Sequence, residues 1–296
     1  MTNSLMDKKL DNSPFLYREK LTMPKNVNFG LELELDKIDP DKVYRLVKSE
    51  IGDDWKVQDD VTLTDGESAE IVSPILQNNR DTWIILKKVS ELLYRLDADY
   101  DKCGFQVNYD GHFLPSVQTK LDFLKFFSMY EDIVYRFSKG EDCEYRYSLD
   151  IYAHPIFSDL KHAVLAMDKG FNFYTPEFII DNFSGRKRYA VEFKTKNQDL
   201  IEFRSPNMTS NPILWQNYIN TFYNMLVAAS DGKYNKEAVE QYIKNVNKMY
   251  LLENYELEKK EKALEFCDII FQHSIDKNNF MHQYLGDNHP KQYVLK

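Results

Sequence analysis

Polar and apolar positions alternate most sharply at residues 27–35, VNFGLELEL, where Leu31, Leu33 and Leu35 share one face of an extended strand and Glu32 and Glu34 share the other. A rise of about 3.3 Å per residue sets the two carboxylates roughly 6–7 Å apart, a spacing suited to neighbouring cations. Glutamate is depleted in strands, so two in one short run invite a reason. The same alternation returns further along. In CGFQVNYD, Phe105, Val107 and Tyr109 oppose Gln106 and Asn108; in LIEFRSP, Ile201 and Phe203 oppose Glu202 and Arg204. In AEIVSP, Glu70 stands among Ala69, Ile71 and Val72.

Between these runs the spacing turns helical. Asp39-Pro40 reads as an N-cap with proline at the first helical position, and Val43, Leu46, Val47 and Ile51 carry a helix to about Gly52. Segment 55–75 reads as a hairpin turning at Thr64-Asp65-Gly66. Helices are expected over 79–97, with Trp83, Leu86, Val89, Leu93 and Leu96 inward, and over 118–138, with a strand at 103–109 between them. Further strands are expected at 145–153, 171–175, 188–194 and 199–204. Asn211-Pro212 opens a helix to about Ser230, and 234–285 is helical and charged, with Leu251, Leu252, Tyr255, Leu264 and Ile269 among its apolar positions. This order predicts a loose lead-in over 1–25, an α+β domain over 26–230 and a helical C-terminal extension of the same domain over 231–296. Half-polar strands separated by helices predict an antiparallel sheet with helices on one face.

Charge and composition narrow the chemistry. The chain has 296 residues, enough for a substantial core, and a net charge of −9 that argues against nucleic-acid or anionic-membrane partners. Arg186-Lys187-Arg188 is a local exception suited to something small. Cys103, Cys143 and Cys267 fall at spacings that make neither a zinc pattern nor a disulfide framework, and no His-x3-His pair occurs. A metal would therefore be held by carboxylates and amides, which favours Mg2+ or Mn2+. No apolar run approaches 18 residues and the N-terminus lacks the order of a signal peptide, so a cytoplasmic location is expected.

If every apolar face packs under helices, the opposite face gathers Glu32, Glu34, Glu70, Gln106, Asn108, Glu202 and Arg204. Four carboxylates on one surface repel strongly unless cations neutralise them. An arginine beside them suits phosphoryl transfer, where charge on the moving group must be stabilised.

The series GxExE (Gly30 to Glu34), an Asp before EIVSP, CGxxVN, then IEFR before a proline-led helix resembles the amidoligases. These group with γ-glutamylcysteine ligase and glutamine synthetase among the carboxylate–amine ligases, and the resemblance spans about residues 27–230. It implies a curved antiparallel sheet of the glutamine synthetase-like type that holds ATP and Mg2+ or Mn2+. An amide would form between a small-molecule or peptide carboxylate and an amine, through an acyl phosphate. By the same resemblance Glu32, Glu34, Asp60, Glu70 and Glu202 match metal-binding acids, with Asp59 and Asp65 close to Asp60 in sequence. Gln106 stands at a metal position where relatives carry His, and Asn108 keeps a second polar position. Arg204 and Glu70 take catalytic roles; Arg188, Asn108, Lys194 and Arg146 are cofactor-binding positions. Glu192 stands where many relatives have Asn, and Glu131 matches a central helical glutamate. The departures keep two other readings open: a catalytically impaired relative that binds a nucleotide or peptide, and a kinase on the same fold. Loops 110–118, 139–146 and 154–170 are expected to choose the substrate.

Overall fold

The computed structural model describes residues 16–60, 63, 67–140, 146, 149–194, 199–247 and 258–286. Across one antiparallel sheet run β2 (Lys56–Asp59), β3 (Ser68–Val72), β1 (Asn28–Asp36), β5 (Phe105–Asp110), β7 (Leu200–Phe203) and β6 (Val191–Lys194), with β4 (Leu76–Gln77) paired to the start of β1. The alternation expected of these strands therefore lies in one continuous surface. Register places Glu34 opposite Glu70, Glu32 opposite Gln106, Asn108 opposite Glu202 and Glu202 opposite Glu192. The polar side chains of different strands consequently meet.

The other face is apolar and lies under α2 (Arg80–Leu96), α3 (Val117–Ser138) and α7 (Pro212–Ser230). Phe29 stacks on Trp83 at 5.9 Å, Phe105 on Trp215 at 5.7 Å, and Phe203 lies nearly parallel to Phe222 at 4.2 Å. Offset and edge-on aromatic pairs of this kind add to simple burial, and they account for much of the chain's wealth of Phe and Tyr. α7 is buried around most of its circumference. Its far side, with that of α3, is covered by α8 (Lys236–Asn245), α9 (Lys260–Ile270) and α10 (Ser274–Leu285), so the C-terminal helices share the core of the sheet layer.

Three helices begin on a polar cap followed by proline. Asp39 caps α1 (Pro40–Glu50), Thr175 caps α6 (Pro176–Asn182) and Asn211 caps α7, each side chain accepting a backbone N–H of the first turn. Of the lead-in, residues 16–25 are described: Leu21 and Met23 are buried, and Asn78 bonds the backbone of both. The Thr64–Gly66 turn, Cys143, Leu251, Leu252 and Tyr255 lie outside the described residues. No helix among the described residues is long and apolar enough to cross a membrane.

Two expected strands are absent. In 145–153 the described residues are Arg146, in coil, and a short helix, α4 (Leu149–Tyr152); 171–175 is a turn whose Phe171 and Phe173 are exposed. Aromatic alternation imitated a strand in both places. The stretch 154–170, expected as a loop, is mostly α5 (Phe157–Asp168), with Phe157, Leu160 and Val164 buried at helical spacing. It carries no side-chain cap of its own. Instead the fully buried Glu131 of α3 accepts the Ile156 and Phe157 N–H groups at 2.6 and 3.0 Å. Glu131 is thus a cap supplied from another element. We predict that Glu131→Ala, which leaves these donors buried and unmet, lowers unfolding stability by about 2–4 kcal/mol in urea titrations. Unchanged stability would contradict the capping role.

Candidate functional site

On the polar face the side chains form a bonded series, not a bare acidic patch. Arg146 Nη1 lies 3.7 Å from Glu34 Oε2, and Glu34 Oε1 accepts Gln106 Nε2 at 2.6 Å. Gln106 Oε1 accepts Arg204 Nη1 at 2.7 Å, and the same nitrogen lies 3.1 Å from Glu202 Oε2. Glu202 Oε1 meets Lys194 Nζ at 2.6 Å; that ammonium also donates to Glu32 Oε1 at 3.0 Å. Glu32 Oε1 then accepts Asn108 Nδ2 at 2.9 Å. The series joins β1, β5, β7, β6 and the Arg146 segment.

The neutralising cations expected from outside are thus partly supplied by the chain. Arg146, Arg204 and Lys194 meet Glu34, Glu202 and Glu32. Glu202, Glu34 and Arg204 are almost wholly buried. The Glu202–Arg204 pair is therefore not the exposed same-face pair worth little to stability. Removing one partner of a buried pair strands the other in low dielectric. Arg204 is further fixed by donating Nε to the Tyr152 carbonyl at 2.8 Å, and Arg146 Nη2 donates to the Arg204 carbonyl at 2.6 Å. Gly104 makes this possible, because a Cβ there would fall 1.7 Å from Arg146 Nη1. Its N–H also donates to Glu34 Oε2 at 2.5 Å.

Ionisation follows these contacts. Burial opposes the charge of Glu32, but Lys194, Asn108 and Arg204 outweigh it and hold its carboxyl below the ordinary range. Burial dominates at Glu34 and raises it in spite of Arg146, Arg204 and the Gly104 N–H. Burial lowers the Arg146 guanidinium, while Glu202 and Glu32 overcome burial and raise Lys194. Glu70 lies where the cations are not. Burial first, then the charge of Glu32, push it up to about 7; Glu34 and Asp60 add to this, and the Gln58 amide that bonds it offsets only part.

Of the expected metal positions, Glu34, Gln106 and Glu202 spend their polar atoms on partners within the chain. Glu32 borders the cavity, Glu70 stands opposite Glu34 on β3, and Asp60 follows the end of β2, near enough to raise both Glu34 and Glu70. Asp59 points to the other face and Asp65 is outside the described residues. Among the described residues no three acid, His or Cys side chains converge as a metal cluster. An oxygen-seeking cation is accommodated only in part: Glu32 and Glu70 remain suited to one, whereas the inner acids do not; Asn108, on the far side of Glu32, has a buried Oδ1 with no hydrogen-bond partner.

Arg188 is not brought into the series; it is exposed, with its guanidinium over the Tyr189 ring. Its loop is pinned by the buried Glu192, whose carboxylate accepts the Lys187, Arg188 and Tyr189 N–H groups, with Lys187 at φ +51. Three successive amides around an anion form a nest. Neither this role nor that of Gln58 was legible, since each depends on register and on a left-handed residue.

Beside Glu32 and Asn108 the sheet opens into a cavity of about 330 Å³. It lies where the chain leaves the β3–β1 ladder at Ser73-Pro74: the Ser73 N–H donates to the Leu31 carbonyl at 2.9 Å, and Ser73 Oγ accepts the Leu31 N–H at 2.9 Å. Gly30 faces the cavity, so a longer side chain there would fill it.

The Glu70 carboxyl generates a pH test. Its folded value, about 7, exceeds the ordinary 4.5, so the folded state binds the extra proton and stability attributable to Glu70 is lost as pH rises from about 4.5 to 7. His154, lowered by burial and Arg188, has the opposite slope, so the comparison must be with Glu70→Gln. In chelator, the variant's stability relative to wild type should grow across that window and level off above it. A difference independent of pH would refute the placement.

A comparison with known proteins finds no family model and no curated protein that matches the chain.

Proposed function

We propose that the chain is an ATP- and Mg2+-dependent carboxylate–amine ligase of the amidoligase type, acting in the cytoplasm on a small-molecule or peptide carboxylate. The observation that carries this reading is convergence. Polar positions of strands far apart in sequence meet on one sheet face, next to a cavity within the roughly 300–1,000 Å³ range of small-molecule sites. The resemblance in GxExE, CGxxVN and IEFR supplies the reaction class.

In that reaction a carboxylate oxygen attacks the γ-phosphorus of ATP and the bond to the ADP oxygen breaks. The amine nitrogen then attacks the acyl carbon, phosphate leaves and the nitrogen loses a proton. Glu32 and Glu70, close enough for the charge of one to raise the other, would hold Mg2+, which supplies neutralisation of the polyphosphate charge when bound. Arg204 provides fixed positive charge toward the transferred phosphoryl group, with Glu202 and Gln106 holding its orientation. The proton that the amine loses passes to solvent. Lys194 and Arg188 are assigned to anionic groups of the cosubstrate; Arg146, enclosed between Glu34 and the Arg204 carbonyl, positions Arg204.

A second reading has its own observation. Lys194 already bridges Glu32 and Glu202, which suits a relative that binds a ligand without turnover. Mass spectrometry of the protein with ATP, Mg2+ and a pool of amino acids and amines separates them. We expect ADP, phosphate and a new amide, all reduced at least about 10²-fold in a folded Glu32→Ala variant. ADP production no greater than the variant's would favour the binding relative, and a stable phosphorylated acceptor would mean a kinase.

A further inference from the structure

The cavity beside Glu32 is walled by acceptors. Glu32, Asp54 and Asp110 contribute three carboxylates, of which Glu32 is paired with Lys194 behind the wall, and Lys56 is the one cation among the described lining residues, so the lining keeps an acidic balance. Asn108, 7 % exposed, lines the same cavity, and its Oδ1 has no hydrogen-bond partner. A buried amide oxygen left unmet calls for an N–H donor. The remaining wall is mostly apolar, including Leu200 and the exposed Ile75, with Asn28 and Ser73 the polar exceptions. Phosphates and carboxylates need donors, of which this wall supplies little beyond Lys56. An alkyl chain with ammonium groups at its ends satisfies all three properties: charge, unmet acceptor and apolar surface.

We propose that this cavity binds a flexible aliphatic amine carrying at least two ammonium groups, with one ammonium donating to Asn108 Oδ1 and another facing Asp54 or Asp110. The inference rests on the ligase reading only in making this amine the nucleophile; the binding itself is independent of it.

Spermidine is the probe, titrated calorimetrically into the full chain with chelator present and ATP absent. Saturable one-to-one binding is expected, with no heat from the dianion glutarate. Asp54 and Lys56 are exposed, so Asp54→Asn and Lys56→Gln should leave melting temperature unchanged. Their effects should have opposite signs: Asp54→Asn weakening spermidine about 5-fold, Lys56→Gln tightening it about 3-fold. Absence of saturable binding, or indifference to both changes, would overturn the proposal. So would one-to-one binding of Mg2+ alone that excludes spermidine, which would make the cavity an inorganic cation site. Spermidine binding without any ADP production would retain the amine site and end the ligase reading. ADP production with no amine bound would do the reverse.

Discussion

Glu32, Glu34 and Glu202 crowd one sheet face, and the positive charge held among them arranges the rest of the polar face. Lys194 between Glu32 and Glu202, Arg204 against Glu202 and Gln106, and Arg146 against Glu34 supply it from three parts of the chain. Gln106 is the connector, donating to a carboxylate and accepting from a guanidinium. Its neighbours explain why an amide serves there: both ends are used. The consequence is a polarised face. In the middle the charges are matched and enclosed; on the β3 side Glu70 meets no cation among the described residues, and on the other side Asn108 Oδ1 has no partner and the cavity opens beside Glu32 and Asn108.

The enclosed end depends on the apolar face behind it. β1, β5 and β7 also contribute the aromatic residues that anchor them to α2 and α7: Phe29 against Trp83, Phe105 against Trp215 and Phe203 against Phe222. Rigid burial on one face is what fixes the polar geometry on the other. Gly104 and Gly30 show the same coupling at close range. One makes room for Arg146 within the series, and the other leaves the cavity open.

Most of the sheet and the membership of its polar face were legible, because period-two alternation decides which residues share a face before any contact is known. The Pro-led helices at Pro40 and Pro212 were equally plain. Thr175-Pro176 carries the same signal, yet the aromatic run FNFYT before it masked the helix that follows. α5 was hidden for a different reason: its cap, Glu131, comes from another helix. The pairing of charges was hidden too. Alternation says that Glu202 and Lys194 face the same way, but only the β6–β7 register brings the ammonium between two carboxylates. Acids that appeared to await metal ions are in good part already matched.

The bridging ammonium is therefore the point on which this view of the site rests, and a double-mutant cycle of Lys194→Met and Glu202→Gln in chelator tests it most directly. Urea unfolding of the wild type, both single variants and the double variant should give a coupling energy of about 1.5–3 kcal/mol, since the groups are in contact and one is fully buried. Effects that add to within about 0.5 kcal/mol would show that Lys194 does not hold the carboxylates together.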